Sequence, residues 1–246
     1  MSIFEFKGKI ALVTGANRGI GEGYVRTLLN AGVKKVYAGA RDLDNLSALI
    51  EQFPGKIEPV LLEVTSAEHI KALAEQIDSL DILVNNAGIA DASGFIAANS
   101  VEVARQEMEV NYFAPLQITQ AMLPLLRQSG QALIINISSI AGIANLPSIG
   151  PYSATKAAMH SYTQGLRAEL KTDGIQVIGV YPGPIDTRMA EGFEMDKPKP
   201  EQVAIKTLEA LEDEKIDVFP DDFSVHMYGL FLQHPHNLET AFSEMM

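Results

Sequence analysis

The chain has no cysteine and no tryptophan, few aromatic residues, five histidines and a shortage of positive charge. Each absence removes a class of function. Without cysteine there is no disulfide framework, no thiolate nucleophile and no Cys-ligated zinc. The histidines show no metal-ligand spacing, so no metal site is expected. Lys and Arg number 19 against 31 Asp and Glu, a net charge of −12 that no basic run or stripe offsets. Such a field repels polyanions, which sets nucleic acid and anionic membrane aside as partners and leaves room only for a local phosphate pocket. Long hydrophobic runs are missing too. Residues 1–10 include Glu5, Lys7 and Lys9 and hold no apolar core of signal-peptide length. The most apolar stretch, 131–150, is broken by Asn136, Ser138, Ser139, Asn145 and Pro147. A cytoplasmic location without a membrane span is the expectation.

What is present is alternation. β-Branched and aliphatic runs at 9–14, 35–39, 57–62, 82–84, 132–137 and 176–180 read as strands, with a last short one including Val218 and Phe219. Between them lie segments of helical spacing: Ile20, Tyr24, Val25, Leu28 and Leu29 up to a stop at Gly32, then 43–50, 67–77, 101–126, 153–170 and 201–211. Pro115 and Pro124 mark kinks or boundaries in the long helix at 101–126. The run 132–137 is apolar at nearly every position, as a strand covered on both faces requires. With 47% hydrophobic residues and no composition break, one domain over 1–246 is expected. The fold class is α/β: a single-domain doubly wound parallel sheet, Rossmann-like, with helices on both faces. From about residue 220 the pattern is less regular and reads as a short helical tail.

Where the first strand meets the first helix stands Gly15-x-x-x-Gly19-x-Gly21, with Asn17, Arg18 and Ile20 between the glycines. Glycines there permit positive φ and a close approach of backbone to a pyrophosphate, and the helix N-terminus offers free N–H groups to it. Tight packing of strand on helix uses the same residues, so the trio alone has two explanations. Arg41 follows the second strand, where an NAD-binding sheet offers an acid to the ribose; an arginine there suits a 2′-phosphate. With Arg18 it could clamp that group, or it could pair with Asp42 or Asp44 at the surface. Tyr152 and Lys156 stand four apart on one helix, and an adjacent ammonium lowers a tyrosine pKa toward useful proton exchange. Ser138 and Ser139 end the 132–137 strand, at the edge where parallel sheets bind ligands. An exposed Tyr/Lys pair and a strand-end serine turn are the bland alternatives.

Taken in order, Thr14 to Gly21, Asn85-Asn86-Ala87-Gly88, Asn111, Ser138-Ser139, Tyr152-Ser153-Ala154-Thr155-Lys156 and Tyr181 to Thr187 resemble the short-chain dehydrogenase/reductase family, from residue 9 to about 211. The resemblance implies an NADP(H)-dependent enzyme with roles as follows. Tyr152 is the general acid/base, and Lys156 lowers its pKa and binds the nicotinamide ribose. Ser139, thirteen residues before the tyrosine, holds the substrate oxygen, and Asn111 positions a lysine-bound water. Asn86, Ala87 and Gly88 run along the adenine ribose, Asn85 braces the sheet, and Pro182, Gly183, Ile185 and Thr187 form the nicotinamide loop. Arg18 and Arg41 match positions that are basic in NADP-preferring members. Glu63-Val64 stands where members commonly carry Asp-Val against the adenine. The segment 217–222 lacks the usual glycine-rich entry to the last strand, so the homodimer or homotetramer implied by the resemblance has an atypical C-terminus.

The reaction implied is hydride transfer between NADP(H) and a carbonyl/alcohol pair. Only residues 188–200, including Met189, Phe193 and Met195, separate Thr187 from the next helix, which predicts a short lid and an open pocket. Ile89, Phe95, Ile143, Leu146 and Pro184 complete an apolar lining suited to apolar aldehydes or ketones. Epimerase or dehydratase relatives carry a longer C-terminal substrate region, and an NADP-binding regulator or scaffold typically loses the tyrosine or lysine.

Overall fold

The computed structural model describes residues 4–245; Met1–Ile3 and Met246, the ends of the expected 1–246 domain, lie outside the described residues. Seven strands form one sheet: β1 (Ile10–Thr14), β2 (Lys35–Ala40), β3 (Ile57–Leu61), β4 (Ile82–Asn85), β5 (Ala132–Ile137), β6 (Ile175–Val180) and β7 (Asp217–Val218). Their order is β3-β2-β1-β4-β5-β6-β7, every pair parallel. Parallel neighbours need crossovers, and helices supply them: α1 (Gly19–Asn30), α2 (Ser47–Gln52), α3 (Ala67–Gln76), α4 (Ser100–Met108), α5 (Ala114–Gln128), α6 (Gly150–Glu169) and α7 (Pro200–Glu212). The sheet is the expected single-domain doubly wound, Rossmann-like one.

Strand side chains alternate between two cores. Ala11 and Val13 face the α1–α7 layer, whereas Leu12 faces the α3–α5 layer, and all three are fully buried. Tyr24 of α1 reaches Thr207 of α7 through a buried 2.7 Å hydrogen bond, which locks the two helices over β1. Strand order reverses between β1 and β4. A cleft therefore opens beyond their carboxyl ends.

Two elements differ from expectation. The helix expected over 101–126 is α4 and α5 joined by one π turn, Glu109–Phe113, with Asn111 inside it. Pro115 has no N–H to give the carbonyl four residues before it, which is that of Asn111, so the regular ladder cannot continue there. The tail after 220 is helical as expected but neither short nor irregular: it forms α8 (Asp222–Gln233) and α9 (Pro235–Ser243). Asp221 caps α8 by accepting the Ser224 N–H at 2.8 Å, and Ser224 Oγ accepts the Asp221 N–H in return. Pro235 opens α9 at a position where its missing N–H costs nothing. Leu238 and Phe242 are fully buried against Ile140, Leu146 and Tyr152. The tail is thus packed onto the site. Among the described residues, no helix is long and apolar enough to cross a membrane.

Candidate active site

Each strand of the central sheet delivers one wall of a cleft of about 650 Å³. From β1 comes the glycine turn. Gly15 and Gly19 have φ of 64° and 55°, which other residues adopt only under strain. A Cβ on Gly21 would lie 2.2 Å from the Gly15 carbonyl oxygen, so that position admits glycine alone. The turn is braced by β4: Asn86 Nδ2 donates to the Thr14 and Gly15 carbonyls at 2.8 and 3.2 Å, and Thr14 Oγ1 accepts the Asn86 and Ala87 N–H groups. Asn85 donates to Thr119 and Asn136 inside the protein, a sheet brace as expected.

The N-cap of α1 is Arg18, whose side chain makes no capping bond. The first-turn N–H groups are therefore available to an anion, and the missing side chains at Gly15, Gly19 and Gly21 leave the approach clear. These features fit a dinucleotide pyrophosphate. Arg18 and Arg41 are exposed at this end of the cleft, with Glu63 and Val64 of the β3 edge beside them. Arg41 faces Glu63 at 3.8 Å rather than Asp42 or Asp44. An ion pair so long and exposed contributes little, which leaves the guanidinium free for a stronger anion.

β5 and α6 build the opposite end. Ser138 Oγ donates to the Lys156 carbonyl at 3.0 Å, a structural bond, and both Ser138 and Ser139 border the cleft. Ser139 Oγ accepts the Ala141 N–H at 3.2 Å and donates to the Pro182 carbonyl at 3.3 Å, and it borders the cleft together with Tyr152. Lys156 is 4% exposed, its Nζ lies 5.5 Å from the Tyr152 ring centre and it donates to the Ile137 carbonyl at 2.9 Å. Burial pushes the Tyr152 phenol up to about 12, against the pull of the Ser139 hydroxyl and with the help of the Glu107 charge. The expected lowering by Lys156 does not appear, because desolvation of the phenolate dominates in this arrangement. Burial likewise pushes the Lys156 ammonium down to about 8, and Glu107 opposes it.

Every expected site residue except Gly21 and Asn111 lines this one cleft. Gly21 lies beneath Gly15, and Asn111, fully buried in the π turn, stands behind Gly88. Asn111 accepts the Ile89 N–H at 2.9 Å and donates to the Ile89 carbonyl at 2.8 Å and to Thr155 Oγ1 at 3.0 Å. From β6, the loop holding Pro182, Gly183, Ile185 and Thr187 crosses the cleft, and a Cβ on Gly19 would touch Thr187 at 3.1 Å.

Sequence reasoning missed three residues here. Asp221 accepts the Gly183 N–H at 2.8 Å and so ties the loop to the tail, while Phe223 and Phe242 wall the end of the cleft beside Tyr152. Their signal in the sequence is the Asp-x-x-Ser spacing at 221–224, which marks the start of a helix. The pocket is consequently less open than the short 188–200 segment suggested. Of the expected lining, Ile89, Leu146, Pro184, Met189 and Phe193 face the cleft; Phe95, Ile143 and Met195 do not. Phe95 instead packs on Gly150, and Ile143 lies against the buried cluster under the tail.

Comparison with known proteins agrees with this geometry. Residues 9–198 match the family described as short chain dehydrogenase. An uncharacterized oxidoreductase of Staphylococcus saprophyticus is 37% identical over 194 residues, 76% of this chain and 82% of its own. A short chain dehydrogenase from Burkholderia cenocepacia, crystallised in complex with NADP, superposes with a TM-score of 0.90 at 35% identity, covering 97% of this chain and 99% of that one. One from Streptomyces avermitilis gives 0.85 at 28% identity, covering 97% and 98%. The chain belongs to the short chain dehydrogenase family of oxidoreductases.

Proposed function

We propose that the protein is an NADP(H)-dependent carbonyl reductase or alcohol dehydrogenase acting on apolar aldehydes or ketones. The observation that carries this reading is the gathering of Ser139, Tyr152 and buried Lys156 in the same cleft as the glycine turn. NADP as the partner is supported by Arg18 and Arg41 at the far end and by the NADP complex of the Burkholderia cenocepacia relative. The α1 N-terminus and glycine turn would hold the pyrophosphate, the two arginines the 2′-phosphate, and the 182–187 loop the nicotinamide end. When bound, the cofactor supplies or accepts the hydride.

The chain's own groups do the rest. Ser139 and Tyr152 hold the carbonyl oxygen by two hydrogen bonds, which fixes the carbon for attack. A phenol held near 12 stays protonated at neutral pH, so Tyr152 gives its proton to the oxygen as negative charge develops there. Lys156 lies against it as a buried ammonium that stabilises the phenolate left behind. Leu146, Ile149, Phe193, Phe223 and Phe242 surround this end of the cleft and exclude water from the alkoxide. They favour apolar substrates, because a phosphate or carboxylate would lose hydration against these side chains. This reading carries with it the cytoplasmic setting and the homodimer or homotetramer that the resemblance implies.

The test is oxidation of NADPH and NADH against a panel of aldehydes, ketones and quinones. Turnover of apolar ketones with NADPH is expected, and Tyr152→Phe should lower kcat by about 10² to 10⁴ with NADPH binding retained. Turnover confined to phosphorylated or acidic compounds would overturn the substrate class; unimpaired Tyr152→Phe would overturn the proton donor.

A further inference from the structure

Glu107 is a buried acid that this reaction does not use. It stands on α4 four residues before Asn111, so the two side chains leave the same face of the helix. Only 1% of it is exposed. Its Oε1 accepts the Asp91 N–H at 2.7 Å, while Asn111 holds both the N–H and the carbonyl of Ile89. Together they clamp the loop 88–91. That loop borders the lysine: a Cβ on Gly88 would stand 3.2 Å from Asn111 Oδ1 and 3.7 Å from Lys156 Nζ. The second oxygen of Glu107, Oε2, is buried with no hydrogen-bond partner among the described residues.

A loop clamp does not need a carboxylate. A glutamine would accept the Asp91 N–H equally well and would not bury an unbonded charged oxygen, which is destabilising unless a cation balances it. The buried cation on this side of the cleft is Lys156. Resting on the reading of Tyr152 and Lys156 as the proton-transfer pair, we propose that Glu107 is a positioning residue of that pair, its carboxylate keeping the Lys156 ammonium charged in its buried site. The groups that bear on Glu107 are Lys156 from α6, which favours its charge, and Asp91 from the loop, whose charge opposes it while its N–H favours it; burial pushes its carboxyl up. Glu107 in turn resists the fall of Lys156 and adds to the rise of Tyr152. One carboxylate therefore bears on both groups of the pair, and in both it favours the protonated form.

Glu107→Gln keeps the volume and the acceptor for Asp91 while removing the charge. The readout is the titration of Lys156 in the full chain, followed by NMR of carbon-13-labelled lysine, with its signal identified as the one absent from Lys156→Arg. The Lys156 midpoint should fall by about one pH unit in Glu107→Gln and stay near wild type in Glu107→Asp. The alkaline limb of kcat/KM should move with it. A midpoint unmoved in Glu107→Gln overturns the proposal. Should that variant not fold, titration of the Glu107 carboxyl in the wild type decides: ionised at neutral pH supports it, neutral up to about pH 8 overturns it. Because the titration needs no turnover, a wild type inactive on every carbonyl would sink the reductase reading alone.

Discussion

Gly21→Ala sets two effects of one methyl group against each other. In an unconstrained helix the change stabilises by about 0.5–1 kcal/mol, because alanine loses less backbone entropy than glycine. Here the new Cβ would stand 2.2 Å from the Gly15 oxygen, 2.5 Å from Asn86 Nδ2 and 2.9 Å from the Gly15 carbonyl carbon. Two of those atoms are backbone, so a rotamer change cannot relieve the overlap. The turn must retreat by about an ångström, which loosens the Asn86 bonds to Thr14 and Gly15. Overpacking costs about 1–3 kcal/mol and a lost hydrogen bond about 1 kcal/mol, so the net is a destabilisation of about 2 kcal/mol. For a chain of this size that corresponds to a Tm lower by roughly 4–8 °C. The same retreat displaces the α1 N–H groups, and NADPH affinity should fall at least roughly tenfold. The control is Gly229→Ala in α8, where an added Cβ meets nothing within 4 Å and Tm should hold or rise. Thermal melts and NADPH fluorescence titrations measure both quantities. A Gly21→Ala protein with wild-type Tm and affinity would refute the reading of this turn as a steric cradle.

Two further predictions concern charge. Arg18→Ala and Arg41→Ala should each weaken NADPH binding by roughly tenfold while leaving NADH nearly unchanged, since a lost charge-assisted bond to the 2′-phosphate affects one cofactor only; equal losses for both cofactors in isothermal titration would contradict the phosphate assignment. The rate of reduction should also depend on pH with a defined sign. Burial holds Lys156 at about 8, so its ammonium is present below that pH and lost above it, whereas Tyr152 at about 12 stays protonated throughout. Reductive kcat/KM measured between about pH 6 and 10 should fall with an alkaline limb near 8, and a flat profile to pH 10 would dissociate Lys156 from the proton step.

The parts of this site that were legible in the sequence are those set by local backbone demands. Gly15, Gly19 and Gly21 are needed wherever a strand turns this tightly into a helix, and Tyr152 and Lys156 meet because they share one helical face. Continuous β-branched and aliphatic runs placed β1 to β6, because strands covered on both faces bury successive side chains in two cores. What was not legible depends on burial. Glu107 reads as one more acid on a polar helix until α4 is packed against α6, and only then is its free oxygen evident. Phe223 and Phe242 look like residues of a loose tail until Asp221 fixes where α8 begins.

That division separates chemistry from selectivity along the chain. The family match ends at residue 198, and within it lie the glycine turn, Asn111, Ser139, Tyr152 and Lys156. The groups that close the substrate end, Phe223 and Phe242, lie beyond it, on helices joined to the reacting centre through the Asp221–Gly183 bond. A carboxylate that caps α8 and also holds the 182–187 loop couples the position of that helix to the position of the loop. Moving α8 by an ångström would therefore move Gly183 as well, and changes of α8 sequence should be felt in kcat and not only in KM. On the proposed reading, the hydride and proton steps draw on the matched region alone, while alignment of the substrate depends on helices beyond it.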